Sequence, residues 1–295
     1  GSQLALWQTE WVINALKIQY PALQIEIVKI RTMGDKITDV PLANVGGKGI
    51  FVKEIEEALF DGRIDLAVHS VKDLPTQLPQ GLVIGAITER EDPRDVLISR
   101  DHSTLSQLKG GAKIGTSSVR RQAQILHFRP DLSVEPIRGN VDTRIRKLNE
   151  GNFDAIVVAA AGILRMGWAE KITEFIPESI SLPAIGQGAL GVEIRESDSA
   201  TRELVEKLDH LPSSIAVKAE RAFLRRLEGG CQVPIAAFAT VNEKELILEG
   251  MVSDIYGKLM FREKATGSTS DFEGLAIRLA EALLGQGADR ILELR

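Results

Sequence analysis

The sequence predicts an α/β fold of two similar units facing across a cleft, followed by a smaller C-terminal α+β domain. Three observations carry that expectation. The first is an internal echo. Pro21-Ala-Leu-Gln-Ile-Glu26 matches Pro130-Asp-Leu-Ser-Val-Glu135 in pattern, and Asp61-Gly-Arg-Ile-Asp-Leu-Ala-Val68 matches Glu150-Gly-Asn-Phe-Asp-Ala-Ile-Val157. The second is that each copy reads as a helix before its proline and a buried strand after its aspartate, the alternation that builds α/β layers. The third is a change of pattern after Leu211-Pro212, where strands follow one another without helices between them.

In chain order, Leu4, Trp7, Trp11, Val12 and Ala15 recur at helical spacing in Gln3–Gln19, and Pro21 follows that helix. Leu23–Ile30 alternates and reads as a strand. Thr32–Gly49 holds Gly34, Pro41, Gly46, Gly47 and Gly49 without periodicity and reads as a long mobile loop, inserted in the first copy only. Ile50–Phe60 predicts a helix, and Ile64–Val68 a short apolar strand of the parallel-sheet kind. In the second copy the strand Lys113–Gly115 precedes Thr116-Ser117-Ser118 and its helix. By the same logic the first copy needs a strand before Gly1-Ser2, so Gly1-Ser2 reads as native chain. Glu89–Asp95, charged and holding Pro93, reads as a crossing between domains, and Ser181–Glu193, with Pro183, as the return. Ala216–Leu227 is an amphipathic helix with Ala219, Ala222, Phe223 and Leu227 on one face. Gly229 and Gly230 stop it, and Pro234 prevents it from resuming. Strands at Ala236–Thr240, Leu246–Ser253 and Leu259–Thr266 and a helix at Phe272–Leu284 complete the α+β domain. The expected domains are 1–88 with 189–208, then 94–183, then 211–295.

Composition narrows the function. A chain of 295 residues with 44% hydrophobic content has the core of a soluble protein. No apolar run approaches the roughly 20 residues that cross a bilayer. The net charge of −5 argues against a general nucleic-acid or membrane binder. A single cysteine cannot form an internal disulfide and suits a reducing compartment such as the cytoplasm. Four histidines at scattered spacings give no metal pattern.

Cys231, in Leu227-Glu-Gly-Gly-Cys231-Gln-Val-Pro-Ile235, sits in a turn after a helix stop. It reads either as a small buried hydrophobe or as a thiol presented for a covalent bond. Arg120, Arg121, Arg138, Arg144 and Arg165 all stand near loops at strand ends, the edge where α/β sheets bind ligands. Guanidinium forks grip carboxylates, so the set suits a ligand with many carboxylates or phosphates, or else solvated helix faces. Arg146 and Lys147 are left to solvent. Asp73, just past a buried strand and beside Lys72, reads either as a turn aspartate or as a carboxylate that steadies a cation or shuttles a proton. His69 reads as structural. Gly46-Gly-Lys-Gly49 resembles a phosphate loop only loosely.

Seven ordered motifs then identify a resemblance over the whole length. They are Gly1-Ser-Gln-Leu-Ala-Leu-Trp-Gln8, Val45-Gly-Gly-Lys-Gly49, Ala67-Val-His-Ser-Val-Lys-Asp-Leu-Pro75, Gly115-Thr-Ser-Ser-Val-Arg-Arg121, Arg138-Gly-Asn-Val-Asp-Thr-Arg144, Ala184-Ile-Gly-Gln-Gly-Ala189 and Gly229-Gly-Cys-Gln-Val-Pro-Ile235. The chain resembles the porphobilinogen deaminase (hydroxymethylbilane synthase) family. Two departures stand out: the family's arginine before the glycine at position 1 is absent, and Asn44 stands where some members have lysine.

The resemblance implies two periplasmic-binding-protein-like lobes and a third domain, in a monomeric transferase of tetrapyrrole, porphyrin and heme biosynthesis. It implies a dipyrromethane cofactor joined to Cys231 by a thioether, and Asp73 as the catalytic carboxylate facing the cation left when porphobilinogen loses ammonia. Cofactor contacts would come from Ser70, Lys72, Thr116, Ser117, Ser118, Arg120, Arg121, Arg138, Gly139 and Gln187. Substrate contacts would come from Ser2, Gln8, Lys48, Phe51, Arg138, Arg144 and Arg165. Four condensations and a hydrolysis would release hydroxymethylbilane. The rivals are a two-lobed anion-binding protein without catalysis and a hydrolase or transferase with Cys231 as transient nucleophile.

Overall fold

The computed structural model describes residues 2–30, 32, 52–227 and 233–293. They form two compact units, the first comprising residues 1–90 and 189–214 and the second 91–188 and 215–295.

The first unit opens with α1 (Gln3–Gln19), the helix expected from its spacing. The Ser2 Oγ accepts the Ala5 N–H at 3.2 Å, satisfying one of the donors a helix start leaves open. Val12 and Leu16 of this helix enter a core with Ala86, Leu190, Val192, Ile194 and Val205. Beneath that core lies a sheet of β1 (Leu66–Ser70), β2 (Leu82–Ile87) and β8 (Leu190–Arg195), with β8 in the middle and antiparallel to both neighbours. Two further helices belong to this unit, α2 (Lys53–Phe60) and α6 (Ser199–Glu206).

Two expectations change here. The run at Ile64–Val68 reads as a parallel strand, yet β1 is antiparallel to β8 and alternates half-buried and buried residues. The cause is distant in sequence: the segment read as a return crossing ends in β8, which supplies the middle strand. Leu23–Ile30 forms no ladder among the described residues. Leu23 and Ile25 lean on the core while Ile27 and Val28 are exposed, so one buried face produced the alternation without a hydrogen-bonded partner. The expected loop lies outside the described residues except for Thr32, and so do Ile50 and Phe51 of the expected helix.

In the second unit a five-stranded sheet runs β5-β4-β6-β3-β7. Its strands are β3 (Asp95–Ser99), β4 (Lys113–Gly115), β5 (Ser133–Glu135), β6 (Ala155–Ala159) and β7 (Glu174–Ile176). β4 is parallel to β5 and β6, and β3 runs antiparallel to β6 and β7. Leu97, Ile114 and Val157 face one core, while Val96, Ile98, Ile156 and Val158 face another. Successive strand residues point to opposite faces, so a sheet covered on both sides requires the unbroken apolar runs seen in β3 and β6. The register places the amino end of β3 beside the carboxyl ends of β6 and β7, pairing Asp95 with Ala159 and with Ile176. One edge therefore gathers the carboxyl ends of β4, β5, β6 and β7. From it depart α3 (Val119–Phe128), α4 (Val141–Asn149) and α5 (Ala160–Arg165).

The same unit holds the expected α+β part. An antiparallel meander of β9 (Ile235–Asn242), β10 (Glu245–Ser253) and β11 (Met260–Ser268) packs against α7 (Leu211–Arg226) and α8 (Phe272–Leu283). The last helical segment is α9 (Asp289–Glu293). Phe223 of α7 is fully buried against β10. A Cβ at Gly250 would stand 2.5 Å from its ring, which is why that strand position carries none.

Candidate active site

The arginines read from the sequence converge on the sheet edge just described. After β4, Thr116 is buried, Ser117 Oγ donates to the Ile137 carbonyl at 2.7 Å, and Ser118 caps α3 by accepting the Arg121 N–H. That cap places Arg120 and Arg121 in the first helical turn with their side chains directed inward, each 6% exposed.

Both meet Asp95, which is fully buried at the start of β3. Arg120 grips it with two donors, Nη1 to Oδ2 at 2.8 Å and Nη2 to Oδ1 at 3.1 Å. Arg121 donates to Oδ1 from Nε at 2.9 Å and from Nη2 at 2.8 Å. Ser181 Oγ donates to Oδ2 at 2.8 Å, and Gln187 Nε2 to Oδ1 at 2.9 Å. Burial alone would raise the Asp95 pKa, but the Arg120 and Arg121 charges outweigh it and hold the carboxyl well below the usual range. Burial in turn lowers the Arg120 pKa, against the opposing pull of Asp95.

The loop after β5 supplies the next group. Gly139 has φ of 108°, in the left-handed region that favours glycine, and a Cβ there would stand 2.5 Å from Thr143. Its carbonyl accepts the Arg144 Nε–H at 2.8 Å. Arg138 is half-buried, and its carbonyl accepts from Lys147 at 3.2 Å. Arg165, at the end of α5, donates to the Gly188 carbonyl at 2.6 Å. Burial lowers its pKa, opposed by Glu91. Gln187 and Gly188 thus tie the Ala184–Ala189 motif to Asp95 and Arg165. The reading of these arginines as solvated helix faces does not hold for Arg120 and Arg121.

In the first unit, Gln8 of α1 donates from Nε2 to the Ser70 Oγ at 2.9 Å, bringing two predicted positions together at the end of β1. The chain then makes a tight turn over Val71–Asp73, closed by the Leu74 N–H on the Val71 carbonyl. Val71 and Leu74 are buried, so Lys72 and Asp73 between them are exposed. His69 is buried against Glu193, with Nε2 2.9 Å from Oε2, which is the structural role expected of it. Cys231, Lys48, Phe51 and Asn44 lie outside the described residues, as does the loose phosphate-loop motif.

Sequence reasoning missed Asp95, Ser181 and Glu220. Asp95 had a signal: it leads directly into the unbroken apolar run Val96-Leu97-Ile98, so a strand buried on both faces begins with an acid that needs cations. Glu220, fully buried on α7, accepts the Gly186 N–H at 2.7 Å and the Ala239 N–H at 2.8 Å, and nothing local in the helix announces it. Among the described residues no cluster of His, Cys, Asp and Glu has the geometry of a metal site, and no helix is long and apolar enough to cross a membrane.

Comparison with known proteins covers nearly the whole chain. Residues 1–203 match the family model described as porphobilinogen deaminase, dipyromethane cofactor binding domain, and residues 214–285 the one described as porphobilinogen deaminase, C-terminal domain. The porphobilinogen deaminase of Syntrophotalea carbinolica is 56% identical over 99% of this chain and 93% of its own length. That of Brevibacillus brevis is 56% identical over 99% and 94%, and that of Geobacter sulfurreducens 55% over 99% and 92%. Among solved structures, the probable amino-acid ABC transporter extracellular-binding protein ytmK of Bacillus subtilis aligns with a TM-score of 0.43 at 10% identity, over 68% of this chain and 79% of that one.

Proposed function

The chain belongs to the porphobilinogen deaminase family, and from that premise we propose that it is a transferase that joins four porphobilinogen molecules head to tail. Each joining releases ammonia, and hydrolysis then frees the linear tetrapyrrole hydroxymethylbilane. The observation that carries this reading on the structural side is the gathering of Arg120, Arg121, Arg138, Arg144 and Arg165 at one sheet edge. We place the enzyme in the cytoplasm as a monomer of three domains, 1–88 with 189–208, 94–183 and 211–295.

The donor chemistry fits a dipyrromethane. Such a group carries acetate and propionate arms, and the edge offers guanidinium and hydroxyl donors, the partners that carboxylates take. When bound, the group supplies the electron-rich pyrrole carbon on which elongation begins. Cys231 would hold it through a thioether, a bond that survives repeated turnover where a thioester would hydrolyse. Arg120, Arg121, Thr116 and Ser118 would hold its carboxylate arms, with Ser70, Lys72, Ser117, Arg138 and Gly139 beside them. Gln187 acts on this group through Asp95 and Arg121, because its amide already donates to Asp95 and to the Pro93 carbonyl at 2.6 Å. Ser2, Gln8, Lys48, Phe51, Arg138, Arg144 and Arg165 would serve incoming porphobilinogen and the growing product.

The exposure of Asp73 in the turn after β1 supports its reading as the catalytic carboxylate. The turn after β1 holds its carboxylate outward between two buried neighbours. A fixed anion there would stabilise the positive charge that develops on porphobilinogen as ammonia departs, with no reorganisation needed at the moment of reaction. Asp95 is saturated by donors and Glu193 is buried against His69, so neither offers a free carboxylate in its place.

Denaturing mass spectrometry of the purified chain tests the proposal. The parent should weigh two pyrrole units more than its amino acids, and the adduct should resist acid. Cys231→Ser should abolish it, whereas Asp73→Asn should keep it and nearly stop turnover. A fully active chain of unmodified mass would remove Cys231 from the mechanism. Near-native turnover of Asp73→Asn would remove Asp73.

A further inference from the structure

We propose that Asp95 is a positioning residue. It reaches no ligand itself, yet it fixes the two guanidinium groups on which loading of carboxylate-bearing pyrroles depends. The inference rests on the reading of this chain as a porphobilinogen-condensing enzyme and goes beyond it, because that reading gives Asp95 no part.

The geometry excludes direct contact. Asp95 has no solvent exposure, and its two oxygens accept six hydrogen bonds, from Arg120, Arg121, Ser181 and Gln187. A carboxylate offers about four lone-pair sites, so none is left for a ligand. Asp95 is also the best-anchored point in the cluster, since its strand is paired on both sides, to Ala159 and to Ile176. The arginines, by contrast, are flexible side chains on adjacent residues whose like charges repel. One anion held between them converts two mobile cations into a single oriented pair. That pair keeps a net positive charge, which one further carboxylate would balance.

The orientation that Asp95 imposes also leaves something to offer. Arg120 directs Nη1 and Nη2 at Asp95, and Nη1 also meets the Leu182 carbonyl at 2.6 Å. Among the described residues no acceptor meets its Nε–H, although the side chain is only 7% exposed. That edge is not sealed inside the protein, so it is the side of the guanidinium still open to a ligand acceptor.

Two variants of the full chain separate positioning from mere charge balance. Asp95→Asn keeps the shape and removes the charge. Asp95→Glu keeps the charge and pushes the carboxylate one methylene further into a site with no spare room. Unloaded parent, Asp95→Asn, Asp95→Glu and Cys231→Ser are incubated with porphobilinogen, and adduct mass is followed in time beside near-ultraviolet circular dichroism. The change in melting temperature that porphobilinogen causes is measured in parallel.

Positioning predicts that both Asp95 variants fold. It also predicts loading slowed by roughly tenfold to a hundredfold, the scale on which supporting partners act, and a reduced thermal shift. Loading at the parent rate in either folded variant overturns the inference. So does failure of both variants to fold, because Asp95 is then a structural ion pair and nothing more. Absence of an adduct on the parent, or its persistence on Cys231→Ser, sinks the family reading of Cys231 instead. Asp95 is then judged by the porphobilinogen thermal shift alone.

Discussion

Each unit buries an acid in a sheet strand, and the two acids are treated in opposite ways. In the second unit Asp95 stands between two guanidinium groups, with Ser181 and Gln187 completing its hydrogen bonds. In the first, Glu193 meets one imidazole, His69, and its Oε1 has no partner; nor does the buried Oε1 of Glu56 on α2. Burial works against an ionised carboxylate in either unit. At Asp95 two cations overcome it and the carboxyl stays charged. At Glu56 burial is the larger cause and the Glu193 charge adds to it, so the pKa rises against the opposing pull of His69. The difference teaches that a buried acid is a fixed electrostatic anchor only when cations outnumber it. Where a second acid stands close by, as Glu193 does to Glu56, burial raises the pKa instead.

The largest way to break this comparison is Arg120→Leu. It removes one of the two cations from Asp95 and leaves a buried charge half-balanced, a change that costs about 3–5 kcal/mol. Urea denaturation should show the unfolding free energy falling by that amount, and an unchanged value would mean that one arginine suffices. Ser181→Ala is a gentler probe of the same centre. It deletes one neutral donor while Asp95 keeps five others, so it should cost about 1 kcal/mol. A loss as large as that from Arg120→Leu would show the hydroxyl, and not the charge balance, to be the decisive contact.

The comparison also marks what a sequence can carry. The α+β part was legible because its signals are local: a helix with Ala219, Ala222 and Phe223 on one face, three strands, then the helix from Phe272. The strand β6 was legible as an unbroken apolar run after Asp154. The antiparallel nature of β1 was not, because β8, more than a hundred residues further along, enters beside it and no local pattern announces a strand's neighbour. The arginines and Asp73 were legible from their positions at strand ends. That Arg120 and Arg121 are organised by Asp95 was not, since the pairing depends on β3 lying next to β6, a consequence of topology.

The smallest expected effect has the opposite sign and tests the other half of the contrast. Glu56 has its pKa raised in the folded chain, by burial first and by Glu193 second. In the unfolded chain it titrates near its ordinary value of about 4.3. Folding therefore takes up a proton between that value and the higher folded one. Stability falls as pH rises through this window, and the penalty persists above it. Glu56→Gln removes the charge that causes the penalty. The variant should melt higher than the parent at neutral pH, and the gap should close below about pH 4, where both states of the parent hold the proton. Asp95 behaves the other way: its depressed pKa keeps its contribution whole at every pH above its unfolded value, with loss only as pH falls toward the folded one. Melting curves of parent and Glu56→Gln across that range decide the point. A variant that melts lower at neutral pH would mean that Glu56 is ionised and well paired, and its contrast with Asp95 would then fail.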